Sequence, residues 1–355
     1  MNLHVAAYTV PTEAPESDGT AEWDSTTLVV VELAYKDVRG LGYTYADAAT
    51  ARAVQFLASY LEDLSPFDTR LIFATAVKAV RNHGRGGASA MAISAIDCAA
   101  WDLKARLLGV PLARLLGTVR TEAPAYGSGG FTSMSESQLC EQLSDWAEQG
   151  FSAVKMKVGR DPRRDLERVR AARKAIGRGV DLFVDANGAY DRKEALKFAE
   201  EFAAAGVSWF EEPVVKADLE GLRLVRDHAS MEITGGEYAY EPADFLALLA
   251  VLVVIQADLT RCGGVTGFLD AHALCAANEL PMSSHCAPAL HVALGCALPA
   301  MRHLEWFFDH QRIERMLFDG APQPERAMLR PDLSRPGFGL DFKRKDAERW
   351  ISRSW

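Results

Sequence analysis

The chain has 355 residues, of which 49% are hydrophobic and 25% charged, with a formal net charge of −9. That length exceeds one small domain and suits a large barrel with a modest second unit, and the composition argues against a disordered or fibrous chain. The acidic balance, with no stripe of Lys and Arg, argues against a nucleic-acid partner.

From the N-terminus, residues 1–15 lack a basic start followed by an apolar stretch, so no secretory signal is expected. Residues 26–34 form a β-branched run, read as a strand, and residues 48–64 and 71–80 have helical spacing of apolar positions. A long Ala-rich helix is expected over 88–108, ended by Gly109-Val110-Pro111. Residues 1–122 are thus read as an α+β unit. From there the pattern changes to short apolar strands alternating with amphipathic helices. The strands are expected at 125–126, 153–158, 182–185, 209–211, 232–234, 253–256, 282–284 and 303–305, with helices such as 163–175, 193–205, 219–228 and 268–277 between them. Eight strands alternating with helices predict a parallel sheet closed as a compact (β/α)-barrel over 123–317. Residues 318–355, rich in Pro and Gly, read as a segment packing back on the N-terminal unit. Within it, Lys343-Arg344-Lys345 lies between Asp341 and Asp346 and reads as a solvated face.

The longest apolar run, residues 245–255, is too short to span a bilayer, so no membrane partner is expected. The six cysteines are scattered with no Cys-x-x-Cys pair, as in a protein of the reducing cytoplasm.

Active sites of such barrels lie at the C-terminal ends of the strands. Asp185 ends the third expected strand, Glu211 ends the fourth and Glu237 follows the fifth, successive members standing 26 positions apart. One such carboxylate is usually a solvated turn residue. Three in register on adjacent strands are what a hard cation needs, and oxygen ligands completed by water and substrate suit Mg²⁺. Lys155 and Lys157 alternate on the second strand and so face the same side, into the barrel mouth. There each lysine, with the metal, would lower the proton affinity of the other, and Lys157, nearer the strand end, is the candidate base. His285 ends the seventh strand, with Asp258 one strand earlier to accept its Nδ1 proton. Glu305 ends the eighth. His83, His291 and His303 lack such a partner and read as structural. Asn187 and Tyr190 follow Asp185 as candidates either for substrate contact or for shaping the turn.

These residues stand in a pattern that resembles the enolase superfamily, specifically its mandelate racemase-like branch. The matching segments are Val154-Lys155-Met156-Lys157-Val158-Gly159, Val184-Asp185-Ala186-Asn187-Gly188, Phe210-Glu211-Glu212-Pro213, Gly235-Gly236-Glu237, the run from Asp258 through Arg261 and Gly263-Gly264 to Gly267, Ser284-His285 and Leu304-Glu305. Residues 91–97 with Trp101-Asp102-Leu103-Lys104 resemble part of the branch's capping domain. The resemblance implies Mg²⁺ on Asp185, Glu211 and Glu237, Lys157 as base on one face of a small carboxylate substrate, and the His285–Asp258 pair as acid/base on the other. It also implies that a protonated Glu305 donates to a substrate carboxylate oxygen, and that the protein is a homo-oligomer. Two departures bear on local geometry: residues 249–252 are apolar where a Gly or charged residue is usual, and Ala257 stands where Pro is common. The specificity loops are expected near residues 14–24 and 40–45, where Trp23, Tyr43 and Tyr45 either wall the pocket or only pack.

The reaction implied is removal of the proton beside a carboxylate through a stabilised enediolate. Dehydration of an acid sugar to a 2-keto-3-deoxy acid is preferred by analogy within the branch, and racemisation or epimerisation of a 2-hydroxy acid is the alternative. Cycloisomerase relatives usually carry lysine where His285 stands. A noncatalytic binding protein is the remote alternative, since such a chain would be expected to lose part of the constellation.

Overall fold

A computed structural model describes residues 1–354. The N-terminal unit is an antiparallel meander of β1 (Asn2–Ser17), β2 (Glu22–Tyr35) and β3 (Val38–Tyr45), followed by α1 (Ala48–Leu61), α2 (Thr69–Ala79), α3 (Ala88–Leu107) and α4 (Leu112–Leu116). Val29, Val31 and Leu33 of β2 pack with α1 to α3, while Leu28 and Val30 face the core shared with the barrel. Both faces of β2 are therefore buried, which is why it reads as an unbroken β-branched run. A strand at Ile351–Ser354 adds antiparallel to the free edge of β1, giving the order tail strand, β1, β2, β3.

Residues 40–45 are strand, not the specificity loop expected there. Gly40 and Gly42 let β3 press onto the backbone of α3. A Cβ at Gly40 would lie 2.2 Å from the Ala99 carbonyl oxygen, and one at Gly42 2.1 Å from that of Ala95. Sequence reading also passed over β1, whose pairing with β2 is interrupted between Pro11 and Glu16.

Eight parallel strands close the barrel: β4 (Ala123–Ser128), β5 (Ala153–Lys157), β6 (Asp181–Asp185), β7 (Val207–Glu211), β8 (Glu232–Gly235), β9 (Val254–Ala257), β10 (Met282–Ser284) and β11 (Met301–Phe307). Each pairs with the next, and β11 returns to β4 with Leu304 opposite Ala125. Helices α5 (Glu136–Glu148), α6 (Pro162–Ile176), α7 (Arg192–Ala204), α8 (Leu219–His228), α9 (Pro242–Leu249), α10 (Gly264–Ala277) and α11 (Pro288–Ala297) connect them, and α12 (Phe308–Leu317) follows β11. A reciprocal capping box of Ser135 and Gln138 starts α5, and Pro162 starts α6 where its missing N–H costs nothing. The unusual apolar run at 249–252 ends α9 and buries Val251 and Leu252 in the turn before β9, so the strand forms without a Gly or charged residue there. No helix among the described residues is long and apolar enough to cross a membrane.

The lower barrel interior is filled by rings: Phe183 and Trp209 stack at 4.9 Å, and Tyr126 meets Phe183 edge-on at 5.4 Å. With that end plugged, the polar residues above it form the floor of a site at the other end. The tail is fastened by the buried Asp102 of α3, which accepts from Leu41 N at 2.8 Å, Phe338 N at 2.7 Å and Arg106 Nε at 2.6 Å.

Gly42→Ala tests the close contact of β3 with α3. The added methyl group should destabilise the fold by about 1–3 kcal/mol, as overpacking of a filled core does, read as a lower urea midpoint. An unchanged midpoint would refute the contact.

Candidate active site

The strand register sets the site. Lys155 stands opposite Phe183 and Lys157 opposite Asp185, with Asp185 opposite Glu211 on the next strand. Side chains alternate along a strand, so the two lysines share one face, with Lys155 a layer deeper. Lys155 Nζ donates to Glu211 at 2.7 and 2.8 Å and lies 2.8 Å from Glu305 Oε1, with none of these groups exposed. Lys157 Nζ donates to Asp185 Oδ2 at 2.5 Å. For both lysines burial works against the charge, but carboxylates outweigh it and raise the proton affinity, Glu211 and Glu305 for Lys155 and Asp185 for Lys157. Lys155 does lower the affinity of Lys157, as expected from sequence, but by less than Asp185 raises it.

Asp185, Glu211 and Glu237 each offer an oxygen within 4.8 Å of the others, and all three are buried. Burial, then the neighbouring Asp185, pushes Glu211 up to about 8. Glu237 is likewise disfavoured as an anion by burial, but His285, Arg261 and Lys157 prevail and hold it well below the usual carboxylate range. Its Oε2 lies 3.2 Å from His285 Nε2 yet makes no hydrogen bond. Arg261 Nη1 is 3.3 Å from Glu237 Oε1, and its Nε is 3.5 Å from Asp258 Oδ2. A fourth acid, Glu212, is buried with a backbone φ of 39° and an unpartnered Oε1; burial and the neighbouring Glu237 raise its pKa well above the usual carboxylate range.

His285 Nδ1 is 2.8 Å from Asp258 Oδ2. Burial opposes charge on the ring, but Cys286, Glu237 and the hydrogen bond to Asp258 together outweigh it and raise the imidazole's proton affinity well above its ordinary range. Asp258 is held down at about 2: burial opposes this, and the His285 hydrogen bond prevails. Cys286 Sγ is 3.3 Å from His285 Nε2, and burial keeps its thiol protonated, pushed up to about 12. Glu305 departs from the expected protonated donor. Its Oε1 accepts from Ser128 Oγ at 2.6 Å and faces Lys155, and its Oε2 accepts from Cys286 N at 2.6 Å. Burial favours the neutral acid, but Lys155 outweighs it and fixes an anion.

A cavity of about 320 Å³ opens onto Lys157, Asn187, Glu237, Arg261, His285 and Cys286. Its opposite wall comes from the β1–β2 hairpin, with Asp18, Ala21 and Trp23, and from Tyr45 at the end of β3. Gly19 allows the hairpin to reach the barrel, since a Cβ there would meet the Ala186 carbonyl oxygen at 2.3 Å and that of Val158 at 2.7 Å. Thr132 N then donates to Ser17 O at 2.8 Å and fixes the hairpin to the barrel. Trp23 therefore borders the cavity, but Tyr43 does not. Tyr43 is fully buried in the core beneath, stacked on Phe318 at 4.8 Å and donating to Glu314 Oε1 at 2.6 Å. Tyr190 is also turned away, donating to Asp165 Oδ2 at 2.6 Å. His291 receives Leu259 N at 3.0 Å, and His303 lies against Ser283 Oγ at 2.9 Å below the site. Sequence reading missed Arg261, Cys286 and Asp18. Arg261 and Cys286 sit beside chosen residues, three after Asp258 and one after His285, so nearness in sequence was an available signal; Asp18 had none beyond lying in an expected loop.

Residues 138–347 match the family described as enolase C-terminal domain-like, and residues 3–117 match the mandelate racemase / muconate lactonizing enzyme N-terminal domain. The chain belongs to the mandelate racemase/muconate lactonizing enzyme family. A mandelate racemase/muconate lactonizing enzyme-like protein from Rubrobacter xylanophilus is 51% identical, with a TM-score of 0.97 over 99% of each chain. The L-talarate/galactarate dehydratase of Salmonella typhimurium is 31% identical over 79% of this chain and 73% of its own. Its crystal structure with Mg and L-lyxarohydroxamate has a TM-score of 0.91 over 99% of this chain and 93% of that one, at 26% identity. The 3,6-anhydro-alpha-L-galactonate cycloisomerase of Streptomyces coelicolor is 32% identical over 94% of each chain.

Glu314, beneath the cavity, gives a pH test of this architecture. Burial pushes it up to about 8 against hydrogen bonds from Tyr43 and Ala289 N. Between the ordinary carboxylate range and pH 8 the unfolded chain releases this proton while the folded chain keeps it, so stability falls as pH rises. Glu314→Gln removes that dependence and should gain roughly 1–3 kcal/mol relative to wild type on moving from pH 5 to pH 8.5. Urea midpoints at the two pH values measure it; a gain that is equal at both, or larger at pH 5, contradicts the assignment.

Proposed function

We propose that the protein is a Mg²⁺-dependent enzyme that dehydrates an acid sugar to a 2-keto-3-deoxy acid. The observation that carries this reading is one cavity bordered by Lys157 and by the His285–Asp258 pair, with three buried carboxylates between them. The carboxylates fit a hard cation. They crowd like charges in a buried space, Glu237 Oε2 has no hydrogen bond, and the donor set is all oxygen. Asp185, Glu211 and Glu237 would hold the ion. When bound, Mg²⁺ supplies positive charge beside the substrate carboxylate and competes for Asp185, which otherwise secures the proton of Lys157.

The chain's own groups then divide the work. Lys157 Nζ takes the proton from the carbon beside the carboxylate. His285, protonated at Nε2 and oriented by Asp258, gives a proton to the hydroxyl on the next carbon as that C–O bond breaks. Water and an enol result, and the enol tautomerises to the 2-keto acid. Lys155, shared between Glu211 and Glu305, holds the floor of the site in register. The Mg-bound dehydratase relative supports this reading. The same two groups, three strand positions apart around the barrel, would also serve a racemase or epimerase, one removing and the other returning the proton. The reading carries with it work as a homo-oligomer in the cytoplasm, the six free cysteines supporting the reducing compartment.

The decisive experiment is ¹H NMR in D₂O with Mg²⁺ against mono- and diacid sugars and 2-hydroxy acids. Growth of 2-keto-3-deoxy product signals is expected, and epimer formation without water loss would favour the racemase instead. Lys157→Ala should lower turnover roughly 10²–10⁴-fold, the usual loss of a general base. Removal of metal with EDTA should abolish turnover and added Mg²⁺ restore it. Calorimetric titration of Mg²⁺ should show binding to wild type and to Lys157→Ala but much weaker binding to Asp185→Asn. Turnover that survives EDTA, or a variant at Lys157 as active as wild type, would defeat the proposal.

A further inference from the structure

The two walls of the cavity differ in charge. On the barrel side every cation already faces a carboxylate: Lys157 faces Asp185, His285 faces Asp258 and Glu237, and Arg261 faces Glu237 and Asp258. On the hairpin side, among the described residues, no Lys or Arg lines the cavity. The charged group there is Asp18. Its Oδ1 caps the hairpin turn, accepting from Thr20 N at 2.6 Å and Ala21 N at 2.7 Å, and among the described residues its Oδ2 receives no hydrogen bond. Behind this wall the acids are already partnered, and burial pushes Glu16 up to about 8. Trp23 Nε1 donates to the buried Glu16 at 2.9 Å, and Thr26 Oγ1 donates to Asp309, whose other oxygen is bound by Arg312 at 2.6 Å. Arg160 pairs with Glu22 at 2.9 Å with both side chains substantially exposed. His310, stacked on Tyr45, is kept neutral by burial and by His285.

A substrate anchored by one carboxylate at the barrel side must extend toward this hairpin. A second carboxylate at its far end would meet Asp18 with no cation to pair with, in a partly enclosed space where like charges repel more strongly than in water. Hydroxyl groups meet no such penalty. They can donate to the free Oδ2 of Asp18, and the C–H face of a polyol can lie on Trp23. We propose that the enzyme is selective for monocarboxylic sugar acids over the corresponding diacids, with Asp18 as the specificity-determining residue. This rests on the proposed function of the same cavity, and it sets the chain apart from a relative named for the diacids talarate and galactarate.

The test compares matched pairs, gluconate with glucarate and galactonate with galactarate, on the Mg²⁺-loaded enzyme. The readout is loss of the α-proton signal in D₂O, which registers dehydration and epimerisation alike. The monoacid of at least one pair should exceed its diacid in kcat/KM by about tenfold or more, the scale of one unpaired like charge at short range. Asp18→Asn keeps the Oδ1 acceptor that holds the turn and removes the charge, and it should lower the monoacid-to-diacid ratio about tenfold. Should that variant misfold, competition on wild type serves: the diacid should inhibit monoacid turnover with a Ki at least tenfold above the monoacid KM. Diacids handled as well as or better than monoacids would overturn this inference alone, and an unchanged ratio in folded Asp18→Asn would remove Asp18 from it. Inactivity toward every acid of both classes would overturn the proposed function and this inference together.

Discussion

Five carboxylates, Asp185, Glu211, Glu212, Glu237 and Glu305, are buried around one end of the barrel, where water cannot screen them from one another. An uncompensated buried charge is costly, and even a paired one gains little unless its remaining lone pairs are satisfied. The surrounding structure answers that demand. Lys155 is divided between Glu211 and Glu305, Lys157 is set on Asp185, and Arg261 bridges Glu237 and Asp258. Hydrogen bonding is incomplete at Glu212 Oε1 and Glu237 Oε2, and Asp185, Glu211 and Glu237 keep oxygens within 4.8 Å of one another. That crowding of acidic oxygens makes the cluster a receptor for a cation, and the aromatic plug beneath keeps it from relaxing into the barrel.

The N-terminal unit depends on the barrel as much as the barrel's site depends on it. Its sheet is apolar on both faces, so it cannot stand with one side in water. Leu28, Val30 and Tyr43 complete their burial against the C-terminal half of the chain. The hairpin that walls the cavity is therefore an extension of a sheet already held in place, locked by the close approach of Gly19.

The barrel strands and their terminal acids were legible because each strand is short, apolar and followed by a polar residue at a nearly constant interval. Local pattern and local chemistry coincide there. They part at Gly40 and Gly42, where glycine reports the nearness of α3, a contact across some 55 residues that no local window contains. They part again at Tyr43, an aromatic in an expected pocket loop that instead answers Glu314, and at Glu305. The proton expected on Glu305 follows from the family resemblance, whereas the ionised state follows from Lys155, Ser128 and the Cys286 N–H, brought together from three other places in the chain.

The strand at Ile351–Ser354 beside β1 has a consequence for how the chain is built. In the chain β1, β2 and β3 precede the barrel and their partner strand follows it, so the edge of β1 stays unpaired until the whole barrel has been made. Pairings of such long sequence separation form slowly, and an open strand edge is a template for another chain. The sheet is thus closed at that edge only by a segment on the far side of the barrel, which ties the two ends of the described chain into one unit.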